Sequence, residues 1–401
     1  MPEPTWPYVI VGGGVAAAGA VRGIREKDPS GPILLIGQER HLPYDRPPLS
    51  KKLWFGKKKV EDIFVQPRDF YDRNGVTLRL GTRAVSLDPA GRTVTDQEGR
   101  RGRYERLLLA TGGTPRRLSV PGGELPGIYY YRFLDDYLRL NAEAQEGRTA
   151  VVVGGGFVGP EIAAALTRHK VKVTMIFLDP YLCSRVFPES LGRALGRLYE
   201  EHGITLRASE KPSRIERSSS GFVVRTESGP VLEADLVVAG VGIEPRLELA
   251  AAAGLQTGNG VVVDEFLRTS DPRIYCAGDP ALFPYRALGR EMRVEHWDNA
   301  VNQGHQAGRN MAGADEPFTY MPYFFSDLFE FGYEAVGEVD SSLETFADWR
   351  KDNDTGVVYY LKDGRVRGAM MCNVWDKVEA ARGLIREGKP RTPESLRGAI
   401  A

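Results

Sequence analysis

Apolar positions along this chain gather into short runs that end at glycines, and the pattern twice reads strand, turn, helix, strand. The first instance has a strand over Tyr8 to Val11, a glycine turn, a helix from about Val15 to Lys27 and a strand over Ile33 to Ile36. The second has a strand over Ala150 to Val153, the turn in VVVGGGFVGPEIA (151 to 163), a helix to about His169 and a strand over Lys172 to Phe177. Each is a βαβ unit. Parallel neighbours need a crossover and the crossover helix covers the sheet, so two parallel sheets in an α/β protein are predicted. Shorter strand-like runs lie at Val76 to Leu80, Leu107 to Ala110, Phe222 to Thr226, Leu236 to Val241 and Val261 to Asp264. From about Phe318 the pattern changes: strand-like runs at Val357 to Leu361 and Arg367 to Met371 precede a helix from about Lys377 to Glu387. The two βαβ units are the one internal echo.

With 401 residues the chain has room for two or three domains. Its 53 basic and 53 acidic side chains give a formal net charge of zero, so no overall field recruits nucleic acid or an anionic membrane. No apolar stretch approaches the roughly 18 residues of a membrane span. The residues before Tyr8 form neither an apolar signal core nor an Arg-rich presequence. Cys183, Cys276 and Cys372 are far apart, without Cys-x-x-Cys or metal-ligand spacing, and the five histidines offer no zinc spacing. Reduced thiols, a cytoplasmic location and no metal site are therefore expected.

The chemistry lies in the two glycine turns, Gly12-x-Gly14-x-x-Ala17 and Gly154-x-Gly156-x-x-Gly159. In such a turn the first small residue permits the sharp strand-to-helix bend, the second lets a pyrophosphate approach the backbone, and the third lets helix and strand pack closely. Unpaired N–H groups and the positive end of the helix dipole then face the phosphates. A carboxylate some 20 residues on is expected to meet the adenosine ribose. Asp179 stands there in the second unit, which predicts a preference for NADH over NADPH; Arg185, six residues further, is the competing phosphate ligand. The first unit has Gln38 and Glu39 at this point, and Gln38 can accept through its amide oxygen. Two such sites suggest two redox cofactors that meet, most simply a held FAD and an exchangeable NADH. Pro160 is expected in the first helical turn, where a missing N–H is harmless.

The segments LPYDRPPLSKKLWF (42 to 55), LLLATGGTPR (107 to 116), GGGFVGPE (154 to 161), GVGIEP (240 to 245), YCAGD (275 to 279) and RVEHWDNA (293 to 300) resemble the two-dinucleotide-domain flavoprotein oxidoreductases. More narrowly, GYEAVGEVDSSLETF (332 to 346) and the stretch 356 to 388 resemble apoptosis-inducing factor and its bacterial relatives, with the ferredoxin reductases of oxygenase systems as close cousins. The resemblance implies two Rossmann-type domains of glutathione-reductase-like plan: a discontinuous FAD-binding domain (1–122 and 246–317) and an NADH-binding domain (123–245). A C-terminal α+β domain (318–401) completes it. It implies that Gly12, Gly13, Gly14, Val15, Ala16, Gln38 and Glu39 hold the adenosine diphosphate of FAD. Arg46 and Lys51 would lie beside the flavin ring, and Val85 and Arg132 at the adenine end. Ala110, Thr111 and Gly112 would line the same cofactor, with Gly278 and Asp279 on its ribityl and phosphate side. For NADH it implies Gly155, Gly156, Phe157, Val158, Asp179, Arg185, Gly242, Glu295 and His296, with Glu334 and Asp376 from the C-terminal domain. Phe157 would cover the flavin until nicotinamide displaces it, and Glu161 would pair with Lys51 near flavin N5. Phe325 stands where both groups of relatives usually carry Trp; the aromatic cover survives, its N–H is lost, and Trp297 is the candidate to replace that donor. The insertion that apoptosis-inducing factor carries between about Asp348 and Gly356 is missing.

Plainer readings stand beside these. Lys51 precedes a run of solvated lysines, Glu161 suits the positive end of its helix, and Phe157 suits helix packing. His296 is expected to touch nicotinamide without transferring a proton. KKLWFGKKK reads as a solvated loop or a docking patch for an acidic electron carrier. The function expected is an FAD-dependent NADH oxidoreductase, with a ferredoxin, rubredoxin or quinone as acceptor, acting as monomer or homodimer. The alternative is a slow redox-sensing interaction protein. Disulfide reductases on the same plan need a cysteine beside the flavin, and none precedes Cys183.

Overall fold

The computed structural model describes residues 5–400; residues 1–4 of the expected FAD-binding domain and residue 401 of the C-terminal domain lie outside the described residues. The chain divides into two compact units, one of Met1–Asp45, Lys59–Thr114 and Glu244–Pro322, the other of Arg46–Lys58, Pro115–Ile243 and Tyr323–Ala401.

The first unit is built on a parallel sheet. Strand Thr5–Val11 lies between Ile33–Ile36 and Arg101–Leu109, with Val76–Arg79 beyond the former and Ile274–Cys276 beyond the latter. Register runs Tyr8 to Ile33 and Val11 to Leu109. ILLI is buried at all four positions, as a parallel strand covered on both faces must be. The start of Arg101–Leu109 continues into an antiparallel meander with Thr93–Asp96 and Ala84–Asp88. Helix Val15–Arg25 follows the first glycine turn and packs along helix Trp297–Met311. Small residues line that seam: a Cβ on Gly304 would stand 2.1 Å from the Ala16 carbonyl oxygen, and one on Gly308 2.2 Å from that of Ala20. The backbones approach more closely than side chains allow.

The second unit has its own parallel sheet, in the order Thr205–Ala208, Lys172–Phe177, Thr149–Val153, Leu236–Ala239, Ile128–Tyr130. A three-stranded antiparallel sheet (Pro212–Arg217, Phe222–Thr226, Val231–Ala234) packs Ile215, Phe222 and Val224 into the same core. Helix Val158–Arg168 begins with Phe157 as N-cap, and Pro160 sits in its first turn. The C-terminal part is a five-stranded antiparallel sheet ordered Tyr323–Leu328, Phe331–Gly337, Arg365–Cys372, Thr355–Lys362, Glu344–Lys351, covered by helix Val378–Glu387. The last two strands are joined over 352–354.

The segment Arg46–Lys58, expected in the FAD-binding domain, belongs to the second unit. Its aromatic residues explain this: Trp54 meets His169 edge to face at 5.2 Å, His169 Nε2 lies 3.0 Å from the Trp54 carbonyl oxygen, and Arg168 lies 4.7 Å over the Phe55 ring. The basic stretch is thereby fastened to the end of helix Val158–Arg168.

Candidate functional site

Both glycine turns fit a dinucleotide. Gly12 adopts φ 141°, and a Cβ there would fall 2.0 Å from the Ala110 carbonyl oxygen; Gly154 adopts φ 114°, with the Gly240 oxygen 2.4 Å from its would-be Cβ. A Cβ on Gly159 would meet the Gly154 oxygen at 2.0 Å, so only glycine lets helix and turn close together there. At Gly14 and Gly156, by contrast, a Cβ would meet nothing within 4 Å. Neither following helix has a side-chain cap. Open space over uncapped N–H groups is what a pyrophosphate requires.

In the first unit the turn is completed by Gly278 (φ 81°), whose N–H donates to Oε1 of the fully buried Gln303 at 2.9 Å. Asp279 follows; its carbonyl accepts from Arg293 Nη1 at 3.1 Å, and Arg293 pairs with the exposed Glu295. Thr111 donates to the Arg246 carbonyl at 3.0 Å and the Gly112 carbonyl accepts the Arg246 N–H. Sequence reasoning missed Arg246. Its guanidinium holds the Gln38 amide oxygen at 2.9 Å, so the oxygen expected to accept from ribose already has a donor. Glu39 accepts from the Tyr44 hydroxyl at 2.6 Å. Val85 is 47% exposed on its meander strand.

His296 caps helix Trp297–Met311. Burial of its ring pushes its pKa down to about 4, against the opposing pull of the Asp279 carboxylate. A neutral imidazole suits a contact with nicotinamide and does not suit a proton relay at neutral pH. The Trp297 indole N–H donates to Asp45 Oδ1 at 2.7 Å. That donor is engaged and does not replace the one lost at Phe325.

In the second unit the carboxylate of Asp179 stands half-buried past the end of strand Lys172–Phe177, with no hydrogen bond or ion pair among the described residues. The backbone beneath is fixed, since Asp179 accepts from the Ser209 N–H and Phe177 from that of Glu210. Arg185 is exposed. Its carbonyl accepts from Ser341, while Ser184 and Val186 accept from the Ser341 and Tyr360 hydroxyls, so the C-terminal sheet holds this stretch. Gly155 and Gly156 offer their carbonyls to the N–H and thiol of Cys183, and Gly242 (φ 92°) accepts from the Arg116 N–H.

The densest chemistry surrounds Glu161, buried in the first turn of its helix. Lys51 Nζ lies 2.6 Å from Glu161 Oε1, and both side chains are 7% exposed. Ser326 donates to the same oxygen at 2.5 Å and Ser50 donates to Oε2 at 2.5 Å. The Lys51 ammonium also stands 5.4 Å over the Phe325 ring. Phe157, 39% exposed, meets Phe324 edge to face at 5.6 Å. Arg46 caps the short turn Pro47–Ser50 that delivers Ser50 and Lys51, and donates to the Arg132 carbonyl at 2.9 Å. Glu334 pairs with Phe325 across the sheet. Its Oε2 is buried without a hydrogen-bond partner; burial raises its pKa, the Asp376 N–H opposes this and the Asp376 charge adds to it. Asp376 itself is exposed, at φ 61°. Ser50 and Ser326 were missed from sequence: Ser50 lies in a quoted segment and Ser326 follows Phe325, but nothing in a pattern says where a hydroxyl points.

All three cysteines are free and buried, and burial raises each thiol well above its ordinary range. No reactive thiolate is presented. Among the described residues no group of acidic, His or Cys side chains is arranged to hold a metal, and no helix is long and apolar enough to cross a membrane.

The profile of the pyridine nucleotide-disulphide oxidoreductases matches residues 6–304, both glycine turns included. The chain belongs to that family. This oxidoreductase also matches the C-terminal profile of apoptosis-inducing factor, mitochondrion-associated, over residues 307–355. It is 36% identical over 392 residues to the ferredoxin–NAD(+) reductase component of the anthranilate 1,2-dioxygenase system of Burkholderia cepacia, covering 97% of this chain and 96% of that protein. It is also 36% identical to the rubredoxin-NAD(+) reductase of Pseudomonas putida, over 80% of this chain and 83% of the relative. The reductase in a covalent putidaredoxin reductase–putidaredoxin complex superposes with a TM-score of 0.91 at 31% identity, covering 96% and 94% of the two chains. FAD and NAD(H) are the cofactors of this flavoenzyme.

Proposed function

We propose that this oxidoreductase takes two electrons from NADH and hands them singly to a small iron–sulfur or rubredoxin-type carrier. The observation that carries the reading is the buried Lys51–Glu161 pair beside the glycine turn of the second unit, in a chain whose thiols are all buried and unreactive. FAD supplies the conversion, accepting hydride from NADH and releasing electrons one at a time. Lys51 holds a positive charge where electron density arrives, and Glu161 keeps that charge in place. Phe157, exposed in the glycine turn, would cover the flavin face and give way to nicotinamide. Gly12–Ala16, Gly278 and Asp279 hold FAD; Gly155–Val158, Asp179 and Gly242 hold NADH. We assign 1–122 with 246–317 to FAD, 123–245 to NADH and 318–401 to the C-terminal domain, with Arg46–Lys58 as the part of the first stretch that packs in the second compact unit. The names of the relatives support the class of acceptor, and the unpaired cysteines support a cytoplasmic setting.

Purified protein is expected to be yellow and to bleach on anaerobic mixing with NADH. Lys51→Ala and Glu161→Ala should each slow that bleaching about a hundredfold, the scale of losing one preorganised electrostatic group. Cytochrome c reduction should rise steeply when a ferredoxin or rubredoxin is added. Wild-type bleaching rates in both variants, or no stimulation by any carrier, would overturn the reading.

A further inference from the structure

The Lys51–Glu161 pair is not left to itself. A carboxylate has about four lone-pair sites, and three donors are aimed at this one: Lys51 and Ser326 at Oε1, Ser50 at Oε2. They arrive from two remote stretches of chain, the short turn Pro47–Ser50 with its C-cap Lys51 and the strand Tyr323–Leu328. Both serines are buried, at 7% and 2% exposure. Ser326 is an odd residue for its place. It sits opposite the fully buried Tyr333 in the sheet register and two positions from the buried Leu328, where an apolar side chain would pack without desolvating a hydroxyl.

We propose that Ser50 and Ser326 are positioning residues that hold the Glu161 carboxylate in one orientation and, through it, fix the Lys51 ammonium for hydride transfer. The inference rests on the role given above to Lys51 and Glu161. A buried ion pair made only of two flexible side chains has lone pairs left over and more than one rotamer available, and an uncompensated buried acceptor is costly. Two neutral hydroxyls fill two of the three sites that Lys51 leaves, without adding charge, so they orient the acid and leave its attraction for the lysine undivided. Because one hydroxyl comes from the C-terminal sheet and the other from the turn that carries Lys51, the carboxylate is gripped from both sides. The Phe325 ring limits the ammonium on its open side.

The test uses holoenzyme carrying Ser50→Ala, Ser326→Ala or Ser326→Thr, with Glu161→Ala and Lys51→Ala as references. Two quantities are read: the single-turnover rate of flavin reduction at saturating NADH, and the acylation rate of Lys51 by an amine-reactive ester, followed by peptide mass spectrometry. Each serine-to-alanine change should slow reduction about tenfold, the worth of one hydrogen bond to a charged group, while NADH affinity stays within about twofold. Lys51 should acylate several-fold faster, and Ser326→Thr, which keeps the hydroxyl, should restore both. Alanine variants that reduce at the wild-type rate while Glu161→Ala is slow would overturn the clamp and leave the pair intact. Wild-type rates in Glu161→Ala and Lys51→Ala would remove the pair and the clamp together. If Ser326→Ala fails to fold, Ser50→Ala and Ser326→Thr decide by the same two readings.

Discussion

Asp179 and Arg185 make opposite demands on a nucleotide. The carboxylate accepts from ribose hydroxyls and repels a 2′-phosphate; the guanidinium attracts one. Both backbones are held, but the short Asp179 side chain is half-buried whereas the long Arg185 side chain is exposed, so the acid has the smaller ordering cost. Asp179→Ala should lower kcat/KM for NADH about tenfold or more, at roughly 1.4 kcal/mol per tenfold, with a much smaller change for NADPH. Arg185→Ala should do the reverse, lowering NADPH use and sparing NADH. Steady-state kinetics with both nucleotides checks the pair. Asp179 was legible because the spacing from glycine turn to strand end is fixed by the geometry of a βαβ unit. Arg246 was not: it lies 208 positions from the Gln38 oxygen it holds, and no periodicity relates the two. Ser50 and Ser326 were hidden for the same reason, since a serine's environment is decided by which remote acid the fold brings to it.

Among the elements, the helix pair of the first unit shows how a local preference can be reversed by packing. Glycine inside a helix is ordinarily worth about 0.8–1.0 kcal/mol less than alanine, so Gly308→Ala would stabilise an isolated helix. Here the added methyl would stand 2.2 Å from the Ala20 carbonyl oxygen. Overpacking costs about 1–3 kcal/mol, and the sign is expected to invert: Gly308→Ala should unfold at lower temperature and lose FAD more readily. A rise in melting temperature would show that the helices can separate freely. Strand and helix limits in the two βαβ units followed the hydrophobic runs closely, as in Ile33–Ile36 and Lys172–Phe177. The strand expected over Val261 to Asp264 shrinks to Val261–Val262, because the chain turns back at once with Asp264 bonding to Arg268.

For the molecule as a whole, acid should act first through one histidine. The unfolded His296 imidazole takes a proton near its ordinary pKa of 6.5, whereas the folded ring refuses it until about pH 4. Across that window the unfolded state binds more protons, so stability falls as pH drops. Hydrogen-bonded carboxylates follow lower down: the half-buried Asp235, held below the usual range chiefly by the Thr149 N–H, contributes stability that is lost only once the solution is acid enough to protonate it in the fold. Thermal unfolding from about pH 7 to pH 4.5 should show a declining midpoint that flattens in His296→Gln; an unchanged slope would place the imidazole in water. Two parallel sheets were readable at this scale from the repeated strand–helix alternation, and two of the five C-terminal strands from their apolar runs. The assignment of Arg46–Lys58 to the second unit was not, because it depends on two aromatic contacts with one distant helix.

The order of strands also sets a timetable. The parallel sheet of the second unit draws its last strand from Leu236–Ala239, but that of the first unit waits for Ile274–Cys276 to join Leu107–Leu109. On a ribosome adding about 5–20 residues per second, the sheet that begins nearer the N-terminus is therefore the second to be completed. The nascent protein must carry Leu107–Leu109 without its outer neighbour while the nucleotide sheet encoded later has already closed.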